Sequence, residues 1–429
     1  MSFESTIQND SVAIRGQGAS TGKESPERYK PVSGRKDQYI DCIGKSEAAA
    51  VRFKHANLNG QWIALAFDSI LILEGVIVNS IVTAKYAVPE PGQLLEVAPG
   101  VLWLRMPLPF ELDHINLYLI DDTDGWVVVD CGLGNSDTRA VWQNVIASYL
   151  QGRPIKKVIL THAHIDHIGA AGWLCQYTGA PLWITAGEQA TAEEYFQLEG
   201  ECGDTIKDQA RCFLHSLGMD QQQVTGIMGI FSGISSLVHP LPDTIRELKE
   251  GMGIQIGTAE WRVIVSEGHS EAHACLYSEA LGVLISGDQV LPRISSNVSV
   301  RAGKPDANPM RAWIGSLERL QALPADTLIL PAHERPFYGL RQRLDELIEE
   351  HMETLLNVER ACSEPVTVMQ LAGLIYQRKL TLFDLLLAGG ECLANLNYLL
   401  AEKRLQCLPD ADSVLVFSQL QSQQRQSDD

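Results

Sequence analysis

Short apolar runs alternate with polar segments through the middle of this 429-residue chain, a pattern that predicts buried strands. The clearest runs occupy residues 158–160, 263–265, 283–285 and 328–330. Each run is followed within a few positions by histidine or aspartate. If these strands lie side by side, their ends bring the imidazole and carboxylate groups to one edge of a sheet. The pattern therefore predicts a layered core with a cluster of metal-ligand side chains at its edge.

The segments around these runs predict an α/β domain. Further strands are expected at residues 94–97, 101–105, 115–120, 126–129 and 182–185. Amphipathic helices are expected at residues 137–150 and 167–177. Strand, turn and helix thus recur in the same order, as in layered α/β folds.

Residues 187–253 interrupt that alternation, and we expect a helical insertion there without strands. Helical spacing covers residues 190–198, 205–217 and 221–227. The insertion carries four large apolar residues, Phe213, Met219, Met228 and Phe231. Two alternatives follow: these residues pack a core of the insertion itself, or they form a lid that supplies substrate contacts.

The two ends of the chain differ from its middle. Residues 1–93 are expected to form an N-terminal extension that is partly disordered, because the first 45 residues are polar and lack periodicity. Residues 94–345 form the main domain and residues 346–429 a C-terminal domain. Helices are expected at residues 340–359, 366–378, 381–387 and 391–403, and strands at residues 405–408 and 413–417. This order of elements resembles a winged-helix module.

Charge and cysteine usage narrow the classes of function. The net charge of −19 disfavours a nucleic-acid partner. The nine cysteines include no CxxC pair, which favours reduced thiols and a cytoplasmic protein. The longest apolar stretch, residues 62–82, contains Asp68, Glu74 and Asn79, so no membrane span is expected.

The first apolar run leads into the sequence HAHIDH, residues 162–167. His162 and His164 are two positions apart on an extended loop, so both imidazoles can reach one ion. His269 would complete that first site. Asp288 could bridge to a second ion through its carboxylate oxygens.

The second site would use the residues at the start of the following helix. Asp166 and His167 point to a neighbouring position, and His333 would complete the set. Two zinc-type ions about 3.5 to 4 Å apart share a hydroxide near neutral pH. Asp166 would also orient this nucleophile, which makes it the candidate catalytic residue. Iron or manganese would also suit these ligands.

Asp130 follows a strand and admits two interpretations. It could cap a helix, or it could hydrogen-bond the backbone of the ligand loop; we favour the supporting role.

Residues 161–169, together with Asp130 and the ligands at 269, 288 and 333, resemble the metallo-β-lactamase superfamily. The resemblance covers residues 94–340 and implies an αββα sandwich with two metal ions at one edge. In that family, the positions matching His162, His164 and His269 bind one ion. The remaining ligand positions bind the other, and the position matching Asp288 bridges them. The C-terminal domain resembles the winged-helix tail of lactamase-β-like hydrolases in the glyoxalase-II-related branch.

One departure from the family concerns the segment after the third ligand. Many relatives have Thr-Pro-Gly-His there, whereas this chain reads His269-Ser-Glu-Ala-His273. We expect His273 to support the ligands rather than to act in catalysis. Arg293 and Arg301 follow Asp288 and would either bind a substrate carboxylate or phosphate, or remain solvated at the surface.

These observations predict a dinuclear metal-dependent hydrolase that uses a metal-bound hydroxide against an activated carbonyl. A small acyl substrate is expected: a thioester, a carboxylic ester or a lactone. The alternative is a metal-dependent endoribonuclease or phosphodiesterase. Against it, residues 346–429 contain 6 lysines and arginines but 13 aspartates and glutamates. A third alternative is a non-catalytic homodimer assembled through the C-terminal domain.

Overall fold

The computed structural model describes residues 64–67, 70–73, 81–197 and 203–420. Residues 66–429 form one compact unit. Most of the predicted N-terminal extension, and its predicted disorder, lies outside the described residues. The last part of that range belongs to the folded unit, because Ala84 is buried and its amide donates to the carbonyl of Pro336.

The chain forms nineteen strands and ten α-helices over the described residues. The strands are β1 Ala64–Phe67, β2 Ile70–Leu73, β3 Val82–Thr83, β4 Leu94–Ala98, β5 Val101–Pro107, β6 His114–Asp121, β7 Trp126–Val129, β8 Ile155–Ile159, β9 Leu182–Thr185, β10 Ile245–Leu248, β11 Gly253–Ile256, β12 Ala259–Ser266, β13 His273–Ser278, β14 Val283–Gly287, β15 Leu328–Pro331, β16 Phe337–Tyr338, β17 Val366–Thr367, β18 Leu405–Pro409 and β19 Leu415–Gln419. The helices are α1 Ser136–Ser148, α2 Ile165–Ile168, α3 Ala171–Thr178, α4 Ala186–Gln197, α5 Gly203–Ser216, α6 Gln221–Ile234, α7 Pro309–Leu320, α8 Leu340–Ala361, α9 Val368–Ile375 and α10 Leu382–Ala401.

Two seven-stranded sheets form the centre of the molecule. The first has the order β10-β9-β8-β7-β6-β5-β4, and the second has the order β11-β12-β13-β14-β15-β16-β3. Both sheets mix parallel and antiparallel pairs: β7 pairs with β8 in parallel, whereas β12 and β13 are antiparallel.

The inner strands β7, β13, β14 and β15 are buried on both faces, and successive side chains enter different cores. On β7, Val127 and Val129 pack into the core between the sheets, together with Trp261 and Val263 of β12. Val128 of β7 points the other way, into a core covered by helices. Period-two alternation places neighbouring residues on opposite faces of a strand, so continuous apolar runs are needed here.

Helices cover the outer face of each sheet. Trp142 of α1 and Leu174 of α3 pack on the first sheet. Trp313 of α7 and Leu344 of α8 pack on the second. The architecture is the αββα sandwich that the sequence predicts.

The segment after α4 differs from the predicted insertion in two respects. The strand β10 lies within the range where no strand was expected, and it pairs in parallel with β9 at the edge of the first sheet. Its sequence Ile-Arg-Glu-Leu carries two exposed charged residues, so it lacks the apolar run that identifies the inner strands.

The apolar residues of α5 and α6 do not pack in a core of the insertion alone, whereas their role as a lid stays a prediction. Phe213, Met219 and Ile227 belong to one buried cluster with Leu371 of α9 and Leu393 of α10. The insertion and the C-terminal domain therefore share a core. A three-stranded sheet of order β17-β19-β18 completes this part of the chain.

The two helices predicted at residues 381–387 and 391–403 are a single helix, α10. Glycine weakens helix interiors, yet α10 continues through Gly389 and Gly390. Here they permit close packing: a Cβ at Gly390 would lie 2.9 Å from the Cβ of Ser299, and the Gly390 carbonyl accepts the Val300 amide at 3.0 Å. Within the described residues, no helix is long and apolar enough to cross a membrane.

Candidate metal centre

The candidate ligands lie where strands from both sheets end. The HAHIDH segment follows β8 of the first sheet, whereas His269, Asp288 and His333 follow β12, β14 and β15 of the second. The expectation that all four strands share one sheet is thus wrong. The ends converge because the sheets face each other, and the ligands meet across the edge of the sandwich.

Four side chains form the first group. The Nε2 atom of His162 lies 2.9 Å from Nδ1 of His164 and 3.3 Å from Nε2 of His269. The Oδ2 atom of Asp288 lies 3.4 Å from Nε2 of His269 and 3.8 Å from Nε2 of His162. These four atoms all lie within 4.8 Å of one another, close enough to surround a single ion.

Asp166, His167 and His333 form the second group, again with ligand atoms within 4.8 Å. The Oδ2 atom of Asp166 lies 3.4 Å from Nε2 of His333 and 3.7 Å from Nε2 of His167. Asp288 adjoins this group too, because its Oδ1 atom lies 3.4 Å from Nε2 of His333. Its Oδ2 atom, which adjoins the first group, also lies 3.5 Å from Nε2 of His167. The Asp288 carboxylate therefore adjoins both groups, as expected of a bridging carboxylate.

The outer nitrogens of two imidazoles are held by backbone carbonyls. Nδ1 of His269 donates to the Asn297 carbonyl at 2.7 Å, and Nδ1 of His333 donates to the His114 carbonyl at 2.9 Å. A carbonyl can only accept, so the proton sits on Nδ1 and the Nε2 lone pair faces the centre. This tautomer is the one that binds a metal ion.

Asp130 supports the HAHIDH segment through hydrogen bonds to Thr161 and His167. Its carboxylate accepts the amide and the hydroxyl of Thr161, each at 2.8 Å, and Nδ1 of His167 at 2.8 Å. The hydroxyl of Thr161 is 3.1 Å from Nδ1 of His162 and can accept its proton. Asp130 has a φ of 62°, a conformation that aspartate tolerates better than most residues.

His273 lies outside both groups and contacts the backbone of the bridging residue. Its Nε2 atom accepts the Asp288 amide at 3.2 Å, and its ring stacks on that of His162 with centroids 4.9 Å apart. Gly287 has a φ of 52°, and a Cβ there would lie 2.5 Å from His273 Nε2. Glycine at 287 is therefore required for this contact.

Burial and neighbouring charges shift the pKa values of the imidazoles in opposite directions. Burial lowers the pKa of His164 to about 3 and holds the pKa of His162 well below its usual value. Burial also opposes the charge of His333 and His167, but nearby carboxylates outweigh it. They raise the pKa of His333 to about 10. They also raise the pKa of His167 well above its usual value, and among the carboxylates Asp130 contributes most to this increase.

The donor set fits divalent metal ions. The inward lone pairs of His162 and His269 would repel each other at 3.3 Å unless a cation or proton lies between them. Nε2 of His167 and Oδ1 of Asp288 are buried without hydrogen-bond partners, and such atoms are costly to bury unless they bind something. Imidazole and carboxylate are ligands for zinc and similar ions.

The structure does not bring the two predicted substrate-binding arginines to these groups. Arg293 is 80% exposed and its guanidinium pairs with Glu334, at 2.8 Å. Arg301 pairs with Glu271 at 2.7 Å and lies near Glu194. Among the described residues, neither guanidinium forms an ion pair with a candidate ligand, so their role in substrate binding stays a prediction.

Sequence reasoning missed two residues that hold the segment carrying His333. The side-chain amide of Asn116 donates to the carbonyls of Pro331 and Glu334, both at 2.9 Å. The second is His114, whose Nε2 accepts the Glu334 amide at 3.0 Å and whose carbonyl accepts Nδ1 of His333. Both lie on β6, and nothing in their local sequence marks them.

Comparison with known proteins identifies the family. The family model described as "Metallo-beta-lactamase superfamily" matches residues 111–333, more than half of the chain. The protein belongs to the metallo-β-lactamase superfamily. A second model, described as "Metallo-beta-lactamase-like, C-terminal domain", matches residues 355–420. The predicted family is confirmed, whereas the winged-helix description of the C-terminal domain stays a prediction.

Similar proteins extend over most of this superfamily member. A beta-lactamase domain protein from Burkholderia ambifaria is 36% identical, with a TM-score of 0.69, covering 79% of this chain and 98% of that one. The probable metallo-hydrolase YqjP of Bacillus subtilis (strain 168) is 27% identical over 324 residues, 73% of this chain and 96% of its own. A hydroxyacylglutathione hydrolase of Cereibacter sphaeroides is 24% identical over 230 residues, 53% of this chain and 68% of that protein.

Proposed function

We propose that this protein is a dinuclear metal-dependent hydrolase of activated acyl compounds, with thioesters and carboxylic esters as the first choice and lactones next. The observation that carries the proposal is the pair of adjoining ligand groups that share Asp288. We propose zinc as the ion, with iron or manganese as alternatives. The cytoplasmic location and the small acyl partner remain predictions from the sequence.

The proposed centre assigns each side chain a task. His162, His164 and His269 would hold one ion, and Asp166, His167 and His333 the other. Two divalent ions in such a site activate a water molecule near neutral pH and polarise the carbonyl under attack. Asp288 would fix the separation of the two groups, since its carboxylate adjoins imidazoles of both.

Asp166 is the residue placed to move a proton. Its side chain is 17% exposed, compared with 4% for His333. Burial disfavours its charge, but His167 and His333 outweigh burial and keep the pKa of Asp166 below its usual value. An ionised, partly accessible carboxylate can accept a proton from the attacking water and deliver it to the leaving group.

The choice of acyl substrates over phosphodiesters rests on charge and on one relative. The chain has a net charge of −19, and a polyanionic substrate would be repelled. The relative from Cereibacter sphaeroides is named for the cleavage of an acyl group from glutathione. The net charge argues against phosphodiester substrates, and the name of the relative supports an acyl substrate.

A substrate panel tests this proposal. Protein loaded with two equivalents of Zn²⁺ should be assayed with acyl-thioesters, p-nitrophenyl esters, a lactone, an aryl phosphodiester and single-stranded RNA. We expect the highest kcat/KM for a thioester or an ester. Phosphodiester or RNA cleavage without acyl hydrolysis would contradict the proposal and favour the nuclease alternative.

An Asp166→Asn variant tests the catalytic assignment. The amide keeps the size of the side chain but accepts no proton, so kcat should fall about 10²- to 10⁴-fold. Asp326→Asn, the same change at an exposed position, is the matched control and should retain full activity. Metal content is measured alongside, by elemental analysis, and an Asp166→Asn enzyme with normal kcat would contradict the assignment.

A further inference from the structure

Glu188 is a buried carboxylate that none of the candidate ligands contacts through its side chain. It lies in the first turn of α4 and has no solvent exposure. Among the described residues, no lysine, arginine or histidine forms an ion pair with it. A buried charge without an ionic partner is costly, so its surroundings must supply strong hydrogen bonds.

Two backbone amides supply those hydrogen bonds, and they belong to different ligand loops. Oε2 of Glu188 accepts the Ala163 amide at 2.8 Å, and Oε1 accepts the Ala272 amide at 2.7 Å. Ala163 lies between His162 and His164. Ala272 lies between His269 and His273 in the second loop. One carboxylate thus ties together the loops that carry all three imidazoles of the first group.

The neighbourhood of Glu188 restricts its position. The hydroxyl of Thr185 donates to the Ala272 carbonyl at 2.8 Å, and the Glu188 amide lies 3.4 Å from the same hydroxyl. Gly187 allows the second loop to approach, since a Cβ there would lie 3.0 Å from the Cβ of Ala272. The carboxylate is therefore held against both loops and has little freedom to turn.

We infer that Glu188 is a positioning residue for the first metal group, an inference that rests on the proposed metal centre. The first group takes two of its imidazoles from a loop that follows β8 of one sheet and the third from a loop that follows β12 of the other. Glu188 sets the distance between these loops. The second group has separate supports, because Asp130 holds His167 and the His114 carbonyl on β6 holds His333.

A Glu188→Gln variant separates the two groups. An amide has one acceptor oxygen and one donor NH₂, so it can accept only one of the two backbone amides and opposes the other. We expect affinity for the ion at the first group to fall about 10- to 100-fold, the range observed when contacts behind metal ligands are lost. The affinity of the second group should change little.

The measurement uses the metal alone. Full-length protein is titrated with CoCl₂ while its visible d–d absorption is recorded, and Zn²⁺ affinities are obtained by competition with a chromophoric chelator. Glu193→Gln, the same substitution at an exposed position of α4, is the matched control. If Glu188→Gln does not fold, Glu188→Asp keeps the charge but is too short to reach both loops, and the same criteria apply.

The metal titrations distinguish a positioning role of Glu188 from a general structural role. Weaker binding of one ion, with an altered Co²⁺ spectrum and an unchanged second step, supports the inference. Unchanged binding of both ions overturns it, as does equal weakening of both steps together with a lower Tm, which would show a general structural role. Wild-type protein that binds no metal would instead refute the proposed metal centre itself.

Discussion

His333 and His167 lie between carboxylates, which make both imidazoles strong bases in spite of their burial. The pKa of His333 is raised to about 10, so near pH 7.5 this imidazole carries a proton when no ion is bound. His162 and His164 have lowered pKa values and are already neutral at that pH. The second group must therefore release protons to bind an ion, whereas His162 and His164 need not.

Metal binding is consequently expected to depend on pH. Because the ion displaces a proton from His333, the apparent affinity of the second group should rise with pH until the pKa of about 10 is reached. Isothermal titration calorimetry with Zn²⁺ in Tris and in HEPES measures the number of protons released. At least one proton per protein is expected, and a His215→Gln control at an exposed position should release as many.

A titration without any buffer-dependent enthalpy would contradict this expectation. It would mean that His333 is neutral before the ion arrives, and that Asp166 and Asp288 do not hold a proton on it.

At this scale the sequence predicts well which residues cluster in the two groups and predicts their supports poorly. Each of the seven candidate ligands follows an apolar run, and that context distinguishes it from an ordinary histidine or aspartate. Glu188 and Asn116 are single polar residues on a helix and a strand. Their importance comes from contacts with segments far away in the chain, and no local pattern encodes such contacts.

At the scale of elements, α10 shows how glycine can serve packing rather than a break. The Gly390 backbone accepts the Val300 amide, and Glu391 beside it accepts the side-chain amide of Asn297 at 3.2 Å. The carbonyl of Asn297 in turn holds Nδ1 of His269. The C-terminal domain is thereby linked to a ligand of the first group.

A Gly390→Ala substitution should be destabilising. The added methyl group would lie 2.9 Å from the Cβ of Ser299 and 3.0 Å from the carbonyl of Val300, and such overpacking costs about 1–3 kcal/mol. Gly373→Ala in α9 meets no atom within 4 Å and should instead stabilise by about 0.5–1 kcal/mol. Urea unfolding of both variants measures the difference.

The opposite order of stability would show that the close approach of α10 to the loop at Ser299 is not tight. The two substitutions are chemically identical and both lie in helices, so helix propensity alone predicts the same sign for both.

Sequence patterns identify the inner elements more reliably than the outer ones. The strands β7, β8, β14 and β15 consist of apolar runs because both faces are buried. The edge strand β10 has two consecutive exposed charged residues, so its sequence resembles that of a loop. The continuity of α10 could not be predicted either, since it depends on a loop that arrives from residues 297–300.

At the scale of the whole molecule, helices from two distant parts of the sequence form one core. Phe213 and Ile227 of the predicted insertion pack with Leu371, Leu393 and Leu396 of the C-terminal domain. The domain boundary predicted at residue 345 assigns these helices to different domains, although their apolar side chains pack together. Periodicity shows that a helix has an apolar face but not which partner covers it.

Ending the chain at Ala361 should therefore prevent stable folding. Each large buried apolar side chain contributes about 1.5–3 kcal/mol, and the shared core would lose several of them, against a total stability of about 5–15 kcal/mol. We expect little soluble protein and strong ANS fluorescence. A chain ending at Leu420 is the matched control and should match full-length protein in yield and Tm.

A monomeric protein ending at Ala361 that unfolds cooperatively and retains two metal ions would contradict this expectation. It would show that the sandwich can cover α5 and α6 without the C-terminal helices.

The shared core also affects the nascent chain during translation. When the ribosome has completed α6, the apolar faces of α5 and α6 have no covering surface, because α9 and α10 are still more than a hundred codons from being translated. The nascent chain must carry these exposed faces until α9 and α10 have been translated. Chaperone engagement during translation should accordingly begin after residue 234 emerges from the exit tunnel and end only after α10 has emerged.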